Sequence, residues 1–136
     1  MAHDDQGPTD GITPHLTILG GQAAAAIDFY VAAFGAEERD RKPAPDGQRL
    51  IHAHLTVNGA SLLLNDDFPE FTGPMAAPSA VTLHLAVDDA DAWVDRAVAA
   101  GASVRMPIAD QFWGDRYGQV EDPFGHRWSI GGPARG

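Results

Sequence analysis

An approximate internal repeat is the feature that most constrains what this chain can fold into. The motif Thr-x-His-Leu begins at Thr13 and again at Thr82, each time within a segment in which apolar and polar residues alternate. An alanine-rich stretch with helical spacing of its apolar residues follows each segment and ends at a glycine, Gly35 or Gly101. Period-two alternation predicts a strand and 3.6-residue spacing predicts an amphipathic helix, so each copy predicts a strand followed by a helix. A tandem repeat of this kind predicts a duplicated fold.

The first copy predicts the order β-α-β-β-β. We expect strands over 12–18, 37–41, 50–57 and 61–64, a helix over 22–34, and a tight hairpin at Asn58-Gly59. The predicted apolar sides contain Ile12, Pro14, Leu16 and Ile18 in the first strand, Ile27, Tyr30, Val31 and Phe34 in the helix, and Ile51, Ala53, Leu55 and Val57 in the third strand. The opposite sides of the two strands contain Thr13, His15, Thr17, His52, His54 and Thr56.

The second copy predicts the same order. Strands are expected over 81–87 and 103–107, followed by a hairpin whose arms, 119–121 and 127–130, are joined by the turn residues 122–125. Asp88 is the predicted N-cap of a helix that runs through Ala100. The predicted buried residues of that helix are Ala90, Val94, Ala97 and Val98. In the closing hairpin, Trp128 and Ile130 are expected to face the core, with Arg127 and Ser129 on the other side.

The chain is long enough for one domain with its own core. Residues 1–11 are polar and expected to be disordered, and a single domain is expected over 12–136. Within it we expect a first module over 12–66, a proline-containing linker over 67–79 and a second module over 80–131. The linker aromatics Phe68 and Phe71 could cover a pocket mouth or pin the linker to the domain.

Composition excludes some classes of function. The formal net charge of -10 opposes binding to nucleic acid or to an anionic membrane, whereas a small molecule, including a cationic one, stays compatible. The sequence has no cysteine, so only His, Asp, Glu or water could hold a metal. Its start lacks the features of a signal peptide, and no apolar run is long enough to span a bilayer, so a cytoplasmic protein is expected.

Several motifs resemble the vicinal oxygen chelate superfamily, which includes glyoxalase I, bleomycin-resistance proteins and extradiol dioxygenases. They are the duplicated modules, Ile27-Asp28-Phe29-Tyr30 and Glu121-Asp122-Pro123-Phe124-Gly125. Segments 12–16, 34–37, 67–71 and 110–118 are similar to the PhnB-like branch, above all Trp-Gly-Asp-Arg-Tyr-Gly at 113–118. The resemblance covers almost everything after residue 11.

The resemblance implies an α+β fold in which two tandem β-α-β-β-β modules form a curved, cup-shaped mixed sheet with helices outside. A ligand or metal would lie inside the cup, and relatives commonly pair as homodimers. Strand alternation predicts which side chains line the cup. The candidate pocket residues are His15, His52, His54, Thr82, His84, Trp113, Tyr117, Gln119, Arg127 and Ser129.

For a metal, the resemblance implies one ligand from the first and fourth strands of each module. Those positions fall on His15, near Leu63, near Thr82, and on Ser129, so only His15 keeps a usual ligand. A displaced site would use His15, His54 and His84 to bind one zinc, nickel or iron ion, with a position open for a substrate. Alternatively, the same histidines line a metal-free polar pocket.

For the other residues of the closing hairpin, the sequence is compatible with two roles each. Arg127 could hold a substrate carboxylate or phosphonate through two hydrogen bonds, or pair with a neighbouring acid. Phe112, Trp113 and Tyr117 could stack on a planar ligand, or pack in a core or dimer contact. Glu121 is the nearby carboxylate with inward parity and the candidate general base, although support of the hairpin would equally explain it.

Two functions follow. The protein could be a divalent-metal-dependent lyase, isomerase or dioxygenase that acts on an oxygen-rich substrate. It could instead be a metal-free binding protein that sequesters a planar or cationic compound, as bleomycin-resistance relatives do. Dinucleotide-binding loops, phosphate-binding loops and the Gly-x-Ser-x-Gly motif of hydrolases do not occur in the sequence.

Overall fold

The computed structural model describes residues 7–136. Residues 7–11 have no regular secondary structure, and the rest of the segment expected to be disordered, 1–6, lies outside the described residues. The structure divides into two compact units. One contains the described residues up to Val31 together with Gly35–Ala76, and the other contains Ala32–Phe34 and Ala77–Gly136. No helix among the described residues is long and apolar enough to cross a membrane.

The first unit contains one four-stranded mixed sheet in the order β1-β4-β3-β2. Along the chain, the elements are β1 (His15–Ile18), a 3-10 turn (Leu19–Gly21), α1 (Ala23–Phe34), β2 (Glu37–Pro43), β3 (Leu50–Val57), β4 (Ala60–Asp66) and the one-turn α2 (Pro69–Thr72). Strands β1 and β4 are parallel, and the other pairs are antiparallel. The predicted hairpin at Asn58-Gly59 is confirmed, because both residues have the positive φ that a type I′ turn requires.

The second unit repeats this topology with the strand order β5-β8-β7-β6. Its elements are β5 (Thr82–Ala86), α3 (Ala90–Ala100), β6 (Ser103–Asp110), β7 (Asp115–Glu121) and β8 (Arg127–Pro133). Helix α3 packs on β6, β7 and β8. The predicted α+β class with two tandem β-α-β-β-β modules is therefore confirmed, with the strands distributed over two four-stranded mixed sheets.

Burial in the strands and helices follows the predicted pattern, with five exceptions among the predicted core residues. The buried set includes Leu16, Ile18, Ala53, Leu55, Leu62 and Leu64 in the first sheet and Leu85, Val120, Trp128 and Ile130 in the second. Ile12, Pro14, Val31, Ile51 and Val98 are exposed instead. Ile12 and Pro14 precede β1, Ile51 lies near the start of β3, and Val31 and Val98 lie in helices.

The N-cap of α3 is Asp89 rather than the predicted Asp88. The Asp89 carboxylate accepts a hydrogen bond from the backbone N–H of Ala92 at 3.2 Å, and the helix begins at Ala90. Two adjacent aspartates offer equivalent caps in sequence, and only the backbone geometry distinguishes them.

The linker carries an ordered contact with the loop between β2 and β3. The Arg49 guanidinium lies 4.2 Å from the ring centre of Phe68 and donates two hydrogen bonds to the Glu70 carboxylate, at 3.0 and 2.6 Å. Of the two roles considered for the linker aromatics, Phe68 therefore pins the linker. Phe71 is 83% exposed.

Candidate ligand-binding site

One side of the second sheet carries most of the predicted pocket residues. Paired residues on neighbouring strands point to the same side of a sheet, and the register joins three such rows. These rows are Thr82 with Arg127 and Glu121, His84 with Ser129 and Gln119, and Ala86 with Gly131 and Tyr117. The buried residues Leu85, Val120, Trp128 and Ile130 occupy the alternate positions, on the opposite side. We call the side with the three rows the His84 face.

His84 and Tyr117 form a stacked pair on this face. Their ring centres are 6.0 Å apart with planes inclined by 17°, and His84 Nδ1 lies 2.8 Å from the Ser129 hydroxyl. Gly131 makes the stack possible: a Cβ at this position would lie 2.9 Å from His84 Cε1 and 3.6 Å from Tyr117 Cδ2. Among residues 7–136, nothing hydrogen-bonds His84 Nε2, so this nitrogen is available to a ligand.

A chain of side-chain hydrogen bonds extends from Tyr117 across the face. Gln119 Nε2 donates to the Tyr117 hydroxyl at 3.0 Å, and Arg127 Nη1 donates to Gln119 Oε1 at 3.1 Å. Glu121 Oε1 completes the chain, 3.7 Å from Arg127 Nη2 and 3.2 Å from Arg105 Nε. The contacts match the reading of Arg127 as an ion-pair partner and engage the Glu121 carboxylate with two guanidinium groups. Proton abstraction by Glu121 stays a prediction.

The loop between β6 and β7 adds two exposed aromatic residues next to this face. Trp113 lies edge-on to Tyr117, with ring centres 5.6 Å apart, and Phe112 lies edge-on to Trp113 at 5.0 Å. Trp113 is 49% exposed and Phe112 is 96% exposed. Large aromatic rings this accessible have not been used for core packing, so they are free to cover a planar molecule.

Arg116, although adjacent to Tyr117 in sequence, is committed to structure. Its guanidinium donates two hydrogen bonds to the Asp91 carboxylate of α3 and one to Asp110 at 3.3 Å. The hydrogen bond from Arg116 lowers the pKa of Asp91, and the bond to Asp91 raises the pKa of Arg116. Arg116 therefore fastens β7 to α3 and to the end of β6.

The first unit has an equivalent polar side, which we call the His15 face. The register places His15, Leu63, His54 and Asp40 in one row, and beside this row it pairs Thr17 with Asn65 and His52 with Lys42. The predicted lining residues of the first module thus share one side of their sheet.

The three histidines of the His15 face differ in surroundings. His54 is buried, and its Nε2 lies 2.8 Å from the Ser61 hydroxyl. The His15 side chain is exposed. Desolvation by the atoms around it, and secondly the nearby His52, lower the pKa of its imidazole, while a hydrogen bond with Asn65 raises it. His52 is half-buried. His15 is therefore the most accessible of the three imidazoles. Its lowered pKa makes it a weaker proton acceptor than a free histidine.

The predicted metal set finds no support in the donor arrangement. The part of the chain that the structure describes contains no group of three or more His, Asp or Glu side chains placed to hold a metal ion. In the first unit, Leu63 separates His15 from His54 within their row and cannot ligate, and His54 uses Nε2 to contact Ser61. Among the described residues no arrangement of donor side chains fits a metal centre, and binding of zinc, nickel or iron by His15, His54 and His84 stays a prediction.

The register corrects one ligand position inferred from the resemblance. His15 pairs with Leu63 between β1 and β4, and the corresponding pair between β5 and β8 is His84 with Ser129, not Thr82 with Ser129. Thr82 pairs with Arg127. The repeated Thr-x-His-Leu motif aligns His15 with His84 in the same way.

Two contributors to the His84 face were missed by the sequence reasoning. Arg105 belongs to β6 and reaches Glu121 across the β6–β7 pair, which requires the register. Gly131 acts by having no side chain, and the only sequence signal was the Gly131-Gly132 pair after the last predicted strand residue.

Comparison with known proteins places this geometry among related folds. A sequence model described as the Glyoxalase/Bleomycin resistance protein/Dioxygenase superfamily matches residues 12–130. An uncharacterized protein of Mycobacterium tuberculosis is 50% identical over 146 residues, covering 98% of this chain and 84% of that protein.

Solved structures share the fold. An X-ray structure of an Arabidopsis thaliana gene product superposes with a TM-score of 0.73 at 29% identity, covering 90% of this chain and 98% of the other. A Bacillus cereus PhnB protein, described as a putative 3-demethylubiquinone-9 3-methyltransferase, superposes with a TM-score of 0.69 at 20% identity, covering 89% and 98%. This second likeness speaks to the fold alone.

Proposed function

This chain belongs to the Glyoxalase/Bleomycin resistance protein/Dioxygenase superfamily, and from that membership we propose that it binds a planar, oxygen-bearing small molecule on the His84 face. The observation that carries the proposal is the line of neighbouring rings Trp113, Tyr117 and His84, which borders the hydrogen-bond chain through Gln119 and Arg127. Small-molecule sites typically combine aromatic walls with a few fixed polar groups.

The side chains of the His84 face are held in place before a ligand binds, as in a preorganised binding site. Side-chain hydrogen bonds fix Gln119 and Arg127, and stacking fixes the His84 and Tyr117 rings, so little conformational entropy is lost when a ligand arrives. A flat ligand would gain contact area with Trp113 or Tyr117, and each aromatic contact contributes about 0.5–1.5 kcal/mol beyond area burial.

Binding without chemistry is the function that these contacts support best. The candidate base Glu121 is engaged by Arg105 and Arg127, and the described residues assemble no group of three metal-binding side chains. The net charge of -10 favours neutral or cationic ligands over polyanions. We therefore propose a metal-free protein that sequesters a planar drug or metabolite, with catalysis as the alternative outcome of the tests.

A thermal-shift screen of planar aromatic compounds, followed by calorimetric titration of the hits, tests the proposal. We expect at least one compound to raise the melting temperature, and Trp113→Ala to weaken its binding by about tenfold through lost aromatic contact. The matched control is Phe71→Ala, which removes another exposed aromatic residue, from the first unit, and should leave affinity unchanged. A screen without stabilising compounds, or equal losses in both variants, would contradict the proposal.

Metal titration and turnover assays separate the enzyme alternative. Zinc, nickel or iron(II) is added to the apoprotein and to His15→Ala and His84→Ala, and each bound compound is followed for conversion. Micromolar metal affinity that both substitutions abolish, or metal-dependent conversion of a bound compound, would replace the sequestration proposal with a metalloenzyme.

A further inference from the structure

Arg127 fixes the direction of the hydrogen bonds that join Arg127, Gln119 and Tyr117 on the His84 face. A guanidinium can only donate, so the atom of Gln119 that lies 3.1 Å from Arg127 Nη1 must be the carbonyl oxygen, Oε1. The reverse orientation of the amide would place two donors against each other. Arg127 itself is held by Glu121 at 3.7 Å, with Arg105 on the far side of that carboxylate.

The fixed amide then determines the role of Tyr117. With Oε1 turned to Arg127, Gln119 presents its NH₂ group to the phenol, and the Tyr117 oxygen accepts this bond at 3.0 Å. The phenolic proton cannot point back at an amide donor. Within residues 7–136, the Tyr117 hydroxyl has no other hydrogen-bonding partner, so its O–H stays available to a ligand.

We infer that the His84 face selects ligands with a hydrogen-bond acceptor at the edge of their ring system, such as an aromatic ketone or quinone, through the Tyr117 O–H. This inference rests on the proposed function and narrows it to one ligand class. The selectivity comes from Arg127 and is relayed through the orientation of Gln119, so Gln119 is a positioning residue that does not touch the ligand.

Three tricyclic compounds of nearly equal shape isolate the polarity. Fluorene has no polar group, 9-fluorenone has a carbonyl acceptor, and carbazole has an N–H donor without an acceptor in the ring plane. A net hydrogen bond in water is worth a factor of about three to ten in affinity. We expect 9-fluorenone to bind about three- to tenfold more tightly than fluorene and carbazole, as measured by isothermal titration calorimetry in one buffer with a small fixed amount of co-solvent.

Two substitutions test the relay. Tyr117→Phe removes the hydroxyl and should reduce the three compounds to equal affinity. Gln119→Glu keeps an acceptor for Arg127 but replaces the amide donor with a carboxylate oxygen, so the Tyr117 hydroxyl must donate to it. The phenolic oxygen of Tyr117 then faces the ligand as a hydrogen-bond acceptor, and the binding preference should change from 9-fluorenone to carbazole.

The double variant Gln119→Glu/Tyr117→Phe is the control for the added charge. If the preference for carbazole in Gln119→Glu acts through the Tyr117 hydroxyl, it should disappear in the double variant. If the preference for carbazole persists there, the new carboxylate binds the ligand directly and the inference is overturned. Circular dichroism spectra and melting temperatures establish that each variant is folded.

The outcomes separate this inference from the proposed function. If none of the three compounds binds to the wild-type protein, and the broader screen also fails, the binding function itself is lost. If all three bind with equal affinity, the binding function stands and the polarity of the face is wrong. If Gln119→Glu keeps the preference for 9-fluorenone, the relay through Gln119 is wrong.

Discussion

At the scale of single residues, Gly131 decides the geometry of the His84 face. A methyl group on this residue would lie 2.9 Å from His84 Cε1 and 3.3 Å from His84 Nε2, closer than carbon contacts allow. Gly131→Ala should therefore displace the His84 ring from Tyr117 and weaken ligand binding, with a loss of stability of at most about 1 kcal/mol, because the obstructing atoms belong to the end of an exposed side chain that can rotate. Urea denaturation and ligand titration measure these effects.

A double-mutant cycle checks the cause. In a His84→Ala background the obstructing ring is absent, so Gly131→Ala should then cost much less than it does alone. An undiminished cost would assign the effect of the alanine to the backbone rather than to the imidazole.

Asp66 makes a second prediction at this scale. Its buried carboxylate accepts hydrogen bonds from the backbone N–H of Ala23 at 2.8 Å and of Leu50 at 2.7 Å, joining the start of α1 and the start of β3 to the end of β4. Asp66→Ala would leave two backbone donors without partners, at a cost of about 1–3 kcal/mol each. Chemical denaturation should show a loss of about 2–6 kcal/mol, whereas Asp28→Ala, on the exposed side of α1, should be nearly neutral.

The sequence predicted which side of each strand a residue occupies but not what it contacts. Alternation placed His15, His52 and His54 on one side of their sheet, and the register shows them there. The same pattern could not predict that Leu63 lies between His15 and His54, because cross-strand neighbours depend on register. Asp66 was missed for the same reason, since its partners are 43 and 16 residues away.

At the scale of elements, the loop between β2 and β3 is organised by Asp46. This carboxylate accepts hydrogen bonds from the backbone N–H groups of Gln48 and Arg49, both at 2.9 Å, and from Arg49 Nε at 2.8 Å. The bond from the Arg49 N–H contributes most to lowering the pKa of Asp46 to about 2, below its ordinary value of 3.8.

A pH dependence follows from this shift. Because the folded pKa is depressed, the contribution of Asp46 to stability is complete above its unfolded pKa and is lost as the pH falls from 3.8 to about 2. The free energy of unfolding should therefore fall less steeply across this interval in Asp46→Ala than in the wild-type protein. Urea titrations at stepwise lower pH measure it, and Asp95→Ala on the exposed side of α3 is the control. Parallel curves for wild-type protein and Asp46→Ala would contradict the assignment.

Elements with strong local signals were predicted with accurate limits. Strand β3 has the predicted bounds, and α1 begins one residue later than predicted, because alternation, alanine content and Gly35 all point to the same boundaries. Elements without such signals were misjudged. The one-turn α2 was read as linker, and β6 continues to Asp110 past Pro107, where a break in register accommodates the proline at a sheet edge.

At the scale of the whole molecule, we propose the homodimer that the resemblance implies. Each copy carries a formal net charge of -10, so two copies repel one another until salt screens the charge. Sedimentation equilibrium should give a dimer dissociation constant that decreases between about 20 mM and about 300 mM sodium chloride, where the Debye length becomes shorter than the distances between most charges. A monomer at every concentration would refute the dimer, and weakening by salt would mean that ion pairs hold it.

The duplication itself could be predicted because it repeats at the level of the sequence. Thr-x-His-Leu recurs, and the structure gives both copies the same strand order and the same pairing of the first strand with the fourth. The chemistry of the two faces could not be predicted in the same way. It depends on single differences at equivalent positions, such as Leu63 in the first module and Ser129 in the second.

The close approach of His84 to Gly131 also has an evolutionary consequence. Because a side chain at position 131 would collide with the imidazole at position 84, substitutions at these two positions are expected to be coupled in any descendant. A lineage that acquires a side chain at position 131 would have to reorient or shrink residue 84, and with it would give up the stacked pair. A change of ligand preference would then begin at a glycine, which contributes no side chain to the site.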